Sequence, residues 1–147
     1  MEVFLANINH LESLSILFDR YRVFYNQTSD IEAAKEFIQE RFKNNDSVVF
    51  AANDNGEIIG FTQLYPSFSS VSIKRVWILN DLYVKESHRQ KRVATLLMNA
   101  AQEYAKVSGA VRVILATHIS NINAQKLYKS QGYIKDEEFY HYALRLQ

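Results

Sequence analysis

The sequence of 147 residues contains no cysteine. Disulfide bonds, cysteine-ligated zinc sites and a cysteine acyl-enzyme intermediate are therefore excluded for this chain. Its four histidines are scattered, with no H-E-x-x-H pattern and no pair four residues apart, so the sequence predicts no metal site. It also lacks the G-x-S-x-G turn of serine hydrolases and the glycine loop of Walker-type nucleotide-binding proteins.

The chain has little excess charge and no long apolar run. A formal net charge of +1 gives no reason to expect nucleic acid or an anionic membrane as a partner. No stretch approaches the roughly 20 apolar residues of a membrane-spanning helix, and the first residues lack the pattern of a secretion signal. We therefore expect a cytoplasmic protein. Because no linker or repeat divides the chain, we expect residues 1–147 to form a single domain.

Hydrophobic periodicity divides the chain into strand and helix signals. Apolar side chains at helical spacing occupy residues 11–25, 31–42, 90–107 and 121–131. β-rich stretches bounded by turn residues occupy 3–6, 47–52, 58–65, 72–84 and 111–117, and two final strands are predicted at Tyr133 and 139–146. The predicted order is therefore β-α-α-β-β-β-α-β-α-β-β.

Local signals predict several element boundaries. Asn9 with Glu12, and Ser29 with Glu32, have the spacing of a capping box and predict the starts of the first two helices. Pro66 has no backbone N–H to donate and predicts the end of the third strand.

The element order predicts an α/β fold with a mixed sheet. Three antiparallel strands precede a β-α-β crossover, whose two strands pair in parallel, so helices are expected on both faces of the sheet. Ligands of such sheets bind at the carboxyl ends of strands where the pairing changes. The end of the strand Trp77–Val84 is that place.

The stretch from Leu79 to Met98 joins this strand to the third predicted helix through a short basic turn. A helix N-terminus presents unpaired N–H groups and the positive end of the helix dipole, which suits phosphate. His88, Arg89, Lys91 and Arg92 add positive charge at the same point. A pyrophosphate group is the simplest ligand, and a solvated basic helix start is the alternative.

Two motifs in this order resemble the signatures of the GNAT N-acetyltransferase superfamily. The strand Asp81–Val84 followed by Arg89–Ala94 resembles its acyl-CoA signature, R/Q-x-x-G-x-G/A. The pattern Asn121-x-x-Ala124-x-x-x-Tyr128, followed by Gly132-Tyr133, is similar to its second signature. The element order matches over essentially the whole chain. A looser resemblance, through Gly60-Phe61 and Gln63-Leu64-Tyr65, is to the polyamine and diamine acetyltransferases.

The resemblance implies a fold, a co-substrate and a set of site residues. The fold is the GNAT acyl-CoA N-acyltransferase fold, and acetyl-CoA is the co-substrate. Asn121 would contact the pantetheine arm and Tyr128 would lie near the thioester sulfur. The backbone of Leu82, Tyr83 and Val84 would bind the same arm. Backbone amides of one loop and helix start would wrap the pyrophosphate: Arg89, Gln90, Lys91, Arg92, Val93, Ala94 and Thr95.

The chain departs from the signature at Arg92, where the pattern has its first glycine. Glycine at that position permits a positive φ and a close approach of backbone to phosphate. Arginine either crowds the turn or adds a bidentate phosphate contact. We interpret Arg92 as a change in how CoA is held, with a weakened or lost CoA site as the alternative.

The chemistry follows from the absence of cysteine. Without a cysteine acyl-enzyme, direct attack of an amine on the thioester in a ternary complex is the natural alternative, with a backbone N–H near Leu82 or Tyr83 stabilising the oxyanion. Tyr128 would protonate the departing thiolate, although helical spacing alone favours a core role for it. Asp81 would act as a base through water or bind the substrate ammonium; a solvated charge or a pair with Arg75 is the alternative.

We therefore expect an acetyl-CoA-dependent N-acetyltransferase that acts on a primary amine of a small molecule. Tyr25 and Tyr65, with Asp81, are expected to line the acceptor site. Acetylation of a protein or peptide and a non-catalytic acyl-CoA-binding module are the alternatives. By analogy with the family we expect a homodimer. The sequence identifies neither the acceptor amine nor the preferred acyl chain.

Overall fold

The computed structural model describes residues 1–147 as two units, an N-terminal unit (Met1–Ala116) and a C-terminal unit (Thr117–Gln147). The C-terminal unit contains one helix, α4 (Ile122–Ser130). The N-terminal unit contains 3-10 turns at Ile8–His10 and Glu86–His88. Its other elements are β1 (Glu2–Leu5), α1 (Leu11–Phe24), α2 (Ile31–Asn44), β2 (Val48–Asp54), β3 (Glu57–Ser69), β4 (Lys74–Val84), α3 (Val93–Val107) and β5 (Arg112–Ile114).

The sheet of the N-terminal unit has five strands in the order β1-β2-β3-β4-β5. The first three pairings are antiparallel, and β4 pairs with β5 in parallel. Helix α3 is the connection between these two parallel strands. The predicted mixed sheet of an α/β fold is therefore confirmed.

Neighbouring residues of β2 show how the helices cover the sheet. Ala51 belongs to the core formed with α1 and α2, which includes Leu14 and Ile38. Ala52 belongs to the core formed with α3, which includes Leu97. Because successive side chains of a strand point to opposite faces, α1 and α2 lie on one face and α3 on the other, as predicted.

The first predicted capping box is wrong. Residues Ile8–His10 form a 3-10 turn, in which the Asn7 side chain accepts a hydrogen bond from Asn9. Helix α1 then begins at Leu11 without a side-chain cap. A capping box formed by Asn7 and His10 therefore takes the place of the predicted pairing of Asn9 with Glu12.

The second predicted capping box is also wrong, although the helix begins where expected. Asp30 caps α2, and its carboxylate accepts a hydrogen bond from the Ala33 N–H at 3.1 Å. The Ser29 hydroxyl instead donates to the Asp19 carboxylate at 2.6 Å. The loop between α1 and α2 is thereby tied to α1, so the Ser29 hydroxyl is not available as a cap.

Pro66 does not end the third strand, which continues to Ser69. Pro66 pairs with Trp77 of β4, whereas the pairing with β2 ends at Leu64. This part of β3 is therefore at an edge of the sheet, where a residue without an N–H is tolerated. Residues 68–75 thus form a two-stranded extension beyond β2 and β5, which we call the β3–β4 arm.

The largest differences from the predicted elements lie toward the C-terminus. Strand β5 has only three residues, and the C-terminal unit contains no strand, so neither of the two predicted final strands is found within it. An alternating apolar pattern forms a strand only when a neighbouring strand pairs with it. Helix α4 lies within the predicted range 121–131, and Asn121 is its N-cap. None of the helices combines the length and apolarity that a membrane crossing requires.

Candidate functional site

Strand β4 has an unpaired side beyond Ile78, because β5 pairs with it only up to that residue. The Lys85 N–H donates to the Ile59 carbonyl of β3 at 2.8 Å. Since N–H and C=O groups alternate sides along a strand, those of Leu82 and Val84 point away from β3. Within the N-terminal unit, the Leu82 N–H and carbonyl and the Val84 N–H therefore have no strand partner, at the end of β4 where the resemblance places the pantetheine arm.

A β-bulge lies beside these backbone groups. Gln63 pairs with Asp81, but the next residue, Leu64, pairs with Leu79, so Asn80 is an extra residue in β4. Bulges redirect neighbouring side chains and are common next to active sites. Here the bulge coincides with two buried polar side chains, since Asp81 is 4% exposed and Gln63 is 0% exposed.

The Asp81 carboxylate is held by neutral donors. One oxygen accepts from Gln63 Nε2 at 2.8 Å and the other from Asn80 Nδ2 at 3.1 Å. The Gln63 amide is oriented in turn by the Ser47 hydroxyl, which donates to its Oε1 at 2.9 Å. No lysine, arginine or histidine nitrogen forms an ion pair with Asp81. Buried charges in proteins are normally paired, so this carboxylate is suited to a cationic ligand.

The alternative for Asp81, a solvated charge or a pair with Arg75, does not hold. Asp81 is buried. The Arg75 guanidinium lies over the rings of Phe68 at 4.4 Å and Trp77 at 5.2 Å.

Two tyrosines, Tyr21 and Tyr65, lie near the buried Asp81 carboxylate. Burial, together with the Asp81 charge, raises the pKa of Tyr65 to about 12, and Gln63 Nε2 lies 3.2 Å from its hydroxyl. Burial and the Asp81 charge also hold the pKa of Tyr21 well above its usual value. The Tyr25 ring packs edge-on against Tyr21 at 5.1 Å. Both phenols near Asp81 therefore stay neutral at physiological pH, and the rings can contact an alkylammonium group.

Tyr21 is the member of this site that the sequence prediction missed. It lies at helical spacing among the apolar residues of 11–25, which by itself favours a core position. The available signal was its spacing of four residues from Tyr25, which places both rings on one face of α1.

The loop before α3 has an unusual backbone. Gln90 and Arg92 adopt left-handed conformations, with φ of 61° and 66°. These conformations interrupt the helix predicted from Gln90, so α3 begins at Val93. Arg92 makes no side-chain cap, which leaves the first N–H groups of α3, at Val93 to Thr95, without a side-chain acceptor. This arrangement suits an anion, and Arg92 adopts the positive φ for which the signature has glycine.

The basic side chains of this loop have different positions. The Arg89 Nε donates to the Val84 carbonyl at 3.0 Å, and its guanidinium lies over the rings of Tyr83 and Phe24, at 5.4 and 5.7 Å. Arg89 therefore anchors the loop to β4 and α1. The side chains of Lys91 and Arg92 are exposed and available to a ligand.

Two polar contacts fix the start of the same loop to the β2–β3 hairpin. His88 Nε2 lies 3.1 Å from the Asp54 carboxylate, and Lys85 pairs with Glu57. The hydrogen bond from Lys85 holds the pKa of the Glu57 carboxyl below its usual range. The loop that precedes α3 is therefore attached both to the β2–β3 hairpin, through Lys85 and His88, and to β4, through Arg89.

Asn121 and Tyr128 lie in the C-terminal unit. The Asn121 Oδ1 accepts from the Ala124 N–H at 3.1 Å and caps α4. Tyr128 is half-buried, and its ring packs edge-on against Tyr133 at 6.1 Å. Their expected contacts with acetyl-CoA stay predictions. In the whole chain no group of three His, Asp or Glu side chains is arranged to hold a metal ion.

Comparison with known proteins identifies the family. The family model described as "Acetyltransferase (GNAT) family" matches residues 12–133. The chain is 44% identical over 146 residues to the uncharacterized N-acetyltransferase YhfO of Bacillus subtilis (strain 168), covering 99% of this chain and 98% of the relative. A crystal structure of a probable acetyltransferase, 42% identical, has a TM-score of 0.96 and covers 100% of this chain and 99% of that one.

A more distant solved structure has the same fold. It is the aminoglycoside N-acetyltransferase AAC(6')-Iy in complex with CoA, 23% identical, with a TM-score of 0.81, covering 99% of this chain and 95% of that one. The resemblance found in the two sequence motifs is thus confirmed at the level of the superfamily. Because the family model spans most of the sequence and a relative of 44% identity spans nearly all of it, the chain belongs to the GNAT family of acetyltransferases and is an N-acetyltransferase.

Proposed function

We propose that this enzyme transfers the acetyl group of acetyl-CoA directly to a primary amine of a small molecule. The observation that carries the proposal is the buried Asp81 carboxylate, which has neutral hydrogen-bond donors and no cationic partner. A protonated amine supplies the missing positive charge, and the rings of Tyr21 and Tyr65 beside it suit the attached carbon chain. Tyr25, which contacts Tyr21, extends the proposed acceptor site.

Acetyl-CoA is the proposed co-substrate, and the start of α3 and the β4 backbone groups that point away from β3 support this assignment. The pyrophosphate is proposed to bind the loop 89–92 and the first N–H groups of α3, at Val93, Ala94 and Thr95. The pantetheine arm is proposed to bind the backbone of Leu82 to Val84, with Asn121 contacting the same arm. The CoA complex of AAC(6')-Iy, which has the same fold, supports this choice of co-substrate.

The proposed reaction proceeds by direct attack in a ternary complex. An alkylammonium group with a pKa near ~10 must lose a proton before it can attack, and Asp81 accepts that proton directly or through water. The nitrogen then bonds to the thioester carbonyl carbon, and the Leu82 N–H, which points away from β3, stabilises the oxyanion. The carbon–sulfur bond breaks, and the Tyr128 phenol donates a proton to the leaving thiolate. The second proton lost by the attacking nitrogen returns through water to the Tyr128 phenolate, so the net product is one proton, held by Asp81 until it is released to solvent.

The remaining features of the proposed enzyme concern its organisation. We propose that residues 1–147 act as one domain, in the cytoplasm, as a homodimer. Its proposed ligands are acetyl-CoA and the amine, with neither nucleic acid nor a membrane as a partner.

Calorimetric titration with acetyl-CoA tests the proposed co-substrate site. We expect saturable one-to-one binding with a dissociation constant of roughly 1–100 μM. The affinity should fall as salt rises, because Lys91 and Arg92 are exposed charges and are screened by ions. An absence of binding at millimolar ligand would mean that Arg92 has closed the site and that the fold serves another purpose.

The Arg92→Gly variant separates the effect of the Arg92 side chain on stability from its effect on acetyl-CoA binding. We expect the free energy of unfolding to rise by about 1 kcal/mol, because glycine adopts the φ of 66° without steric cost. We expect acetyl-CoA affinity to fall by about tenfold, because a charge-assisted phosphate contact is lost. Gln90→Gly is the matched control, since Gln90 has a φ of 61° but no charge. Gln90→Gly should raise the free energy of unfolding by a similar amount and keep the wild-type affinity for acetyl-CoA.

A further inference from the structure

Gln63 of β3 is a large polar side chain with no exposed surface. It is 0% exposed, and its neighbours in β3, Phe61 and Leu64, are apolar residues with exposures of 1% and 0%. Burying an amide costs free energy unless its hydrogen bonds are satisfied, whereas an apolar side chain of similar size carries no such cost. The hydrogen bonds of Gln63, and not its packing, therefore explain a polar residue at this position.

The Gln63 amide uses both of its polar atoms. Nε2 donates to the Asp81 carboxylate at 2.8 Å and to the Tyr65 hydroxyl oxygen at 3.2 Å. Oε1 accepts from the Ser47 hydroxyl at 2.9 Å. Because an ionised carboxylate can only accept hydrogen bonds, Nε2 must face Asp81, and Oε1 must face Ser47. The bonds to Ser47 and Tyr65 thus fix the amide that contacts Asp81.

The two oxygens of Asp81 are held by donors in different surroundings. Asn80 Nδ2 donates to one oxygen at 3.1 Å, but Asn80 is exposed, so water competes with this bond. Gln63 donates to the other oxygen where no water reaches it, and a hydrogen bond in such surroundings is stronger. Gln63 is therefore the firmer of the two anchors of the carboxylate.

We propose that Gln63, fixed in turn by Ser47, is a positioning residue that holds the Asp81 carboxylate in the orientation that receives the amine. The inference rests on the proposed function, in which Asp81 binds the ammonium group and accepts its proton. A reacting group misplaced by about 1 Å can lower a rate by about a hundredfold. Since Gln63 is completely buried, its effect on the reaction passes through Asp81.

A double-mutant cycle of Gln63→Met and Asp81→Asn tests the inference. Methionine keeps the unbranched shape of glutamine and loses both N–H donors. Thiol release from saturating acetyl-CoA is measured with straight-chain primary amines from ethylamine to hexylamine, and the fastest of these probes is used. We expect Gln63→Met alone to lower kcat/KM for the amine by about tenfold to a hundredfold. In the Asp81→Asn background it should change kcat/KM by less than about threefold, because the carboxylate that it positions is absent.

Two further variants show whether the effect is specific. Ser47→Ala removes the donor to Gln63 Oε1 and should lower kcat/KM by about threefold to tenfold, an effect that Asp81→Asn also abolishes. Thr62→Val is the matched control, because Thr62 is 0% exposed and its hydroxyl donates to the backbone carbonyl of Asp81 at 2.8 Å. Thr62→Val should lower the midpoint of thermal unfolding by a few degrees and keep kcat/KM within about threefold of the wild type.

The outcomes separate the positioning role from the proposed function. If Asp81→Asn lowers kcat/KM and neither Gln63→Met nor Ser47→Ala does, the positioning role is wrong and the proposed reaction stands. The same holds if the losses multiply in the double variants, because Gln63 then acts independently of the carboxylate. If circular dichroism shows that Gln63→Met is unfolded, the cycle of Ser47→Ala with Asp81→Asn decides. If Asp81→Asn keeps wild-type kinetics, or no probe is acetylated, the proposed acceptor site is wrong and the positioning role with it.

Discussion

Replacing Asp81 by asparagine should lower kcat/KM for the amine by about a hundredfold to ten-thousandfold. The variant keeps the size of the side chain and one oxygen to accept from Gln63 Nε2, a contact of 2.8 Å in the wild type. It loses the negative charge that holds the ammonium group and the base that accepts its proton. The loss should therefore appear in amine turnover, while acetyl-CoA binding measured by calorimetry stays close to that of the wild type.

Asp19→Asn is the matched control for this variant. Asp19 is 5% exposed, and its two oxygens accept from the Ser29 hydroxyl and the Asp30 N–H, at 2.6 and 2.7 Å. Weakening these bonds should lower the free energy of unfolding by about 1–2 kcal/mol and change kcat/KM much less than Asp81→Asn does. If Asp81→Asn kept wild-type kinetics for the amine, its assignment as base and ammonium site would be wrong.

The second large effect is expected from Tyr128→Phe. We expect kcat to fall by about tenfold to a thousandfold, because the thiolate then leaves without a positioned proton donor. The affinity for acetyl-CoA should change little, since the phenylalanine ring keeps the edge-on contact with Tyr133. Steady-state kinetics combined with calorimetry separates these two quantities.

Tyr133→Phe is the control for Tyr128→Phe. Tyr133 belongs to the same unit, and burial raises the pKa of its phenol, so both substitutions remove one half-buried hydroxyl. A core role for Tyr128, the interpretation favoured by helical spacing alone, predicts that both variants keep their turnover and lose a similar amount of stability. Wild-type kcat in Tyr128→Phe would exclude its role as proton donor.

Sequence periodicity was sufficient to predict the mixed sheet and the helices that cover its two faces. Strands with period two and helices with a period of 3.6 residues have distinct patterns, and the crossover through α3 follows from their order. The capping residues were harder to predict. Asp30 and Ser29 are both good caps by type, and only the contact of Ser29 with Asp19 decides which of them caps α2.

For the candidate site, the sequence was a better guide to the backbone elements than to the contacts between side chains. The signature located the loop that is proposed to hold the pyrophosphate, and the left-handed conformation of Arg92 explains why the pattern has glycine there. The pairing of Gln63 with Asp81 depends on a bulge at Asn80. A register shift of one residue leaves no local trace in the sequence, so this network could not be predicted.

The final strands show the opposite limit of a sequence pattern. Tyr140, Tyr142, Leu144 and Leu146 alternate as a strand requires, yet the C-terminal unit contains no strand. Alternation indicates that one side of a segment is apolar, but it does not indicate which other segment packs against that side.

Release of the CoA thiol in the presence of amines is the most direct test of the proposed reaction. A thiol-reactive chromophore reads free CoA without background from the enzyme, because the chain contains no cysteine. With saturating acetyl-CoA, we predict rapid thiol release for at least one small primary amine. The corresponding tertiary amine, which cannot form an amide, should give none. If acetyl-CoA binds and no small primary amine releases thiol above the rate of hydrolysis, the proposed reaction is wrong.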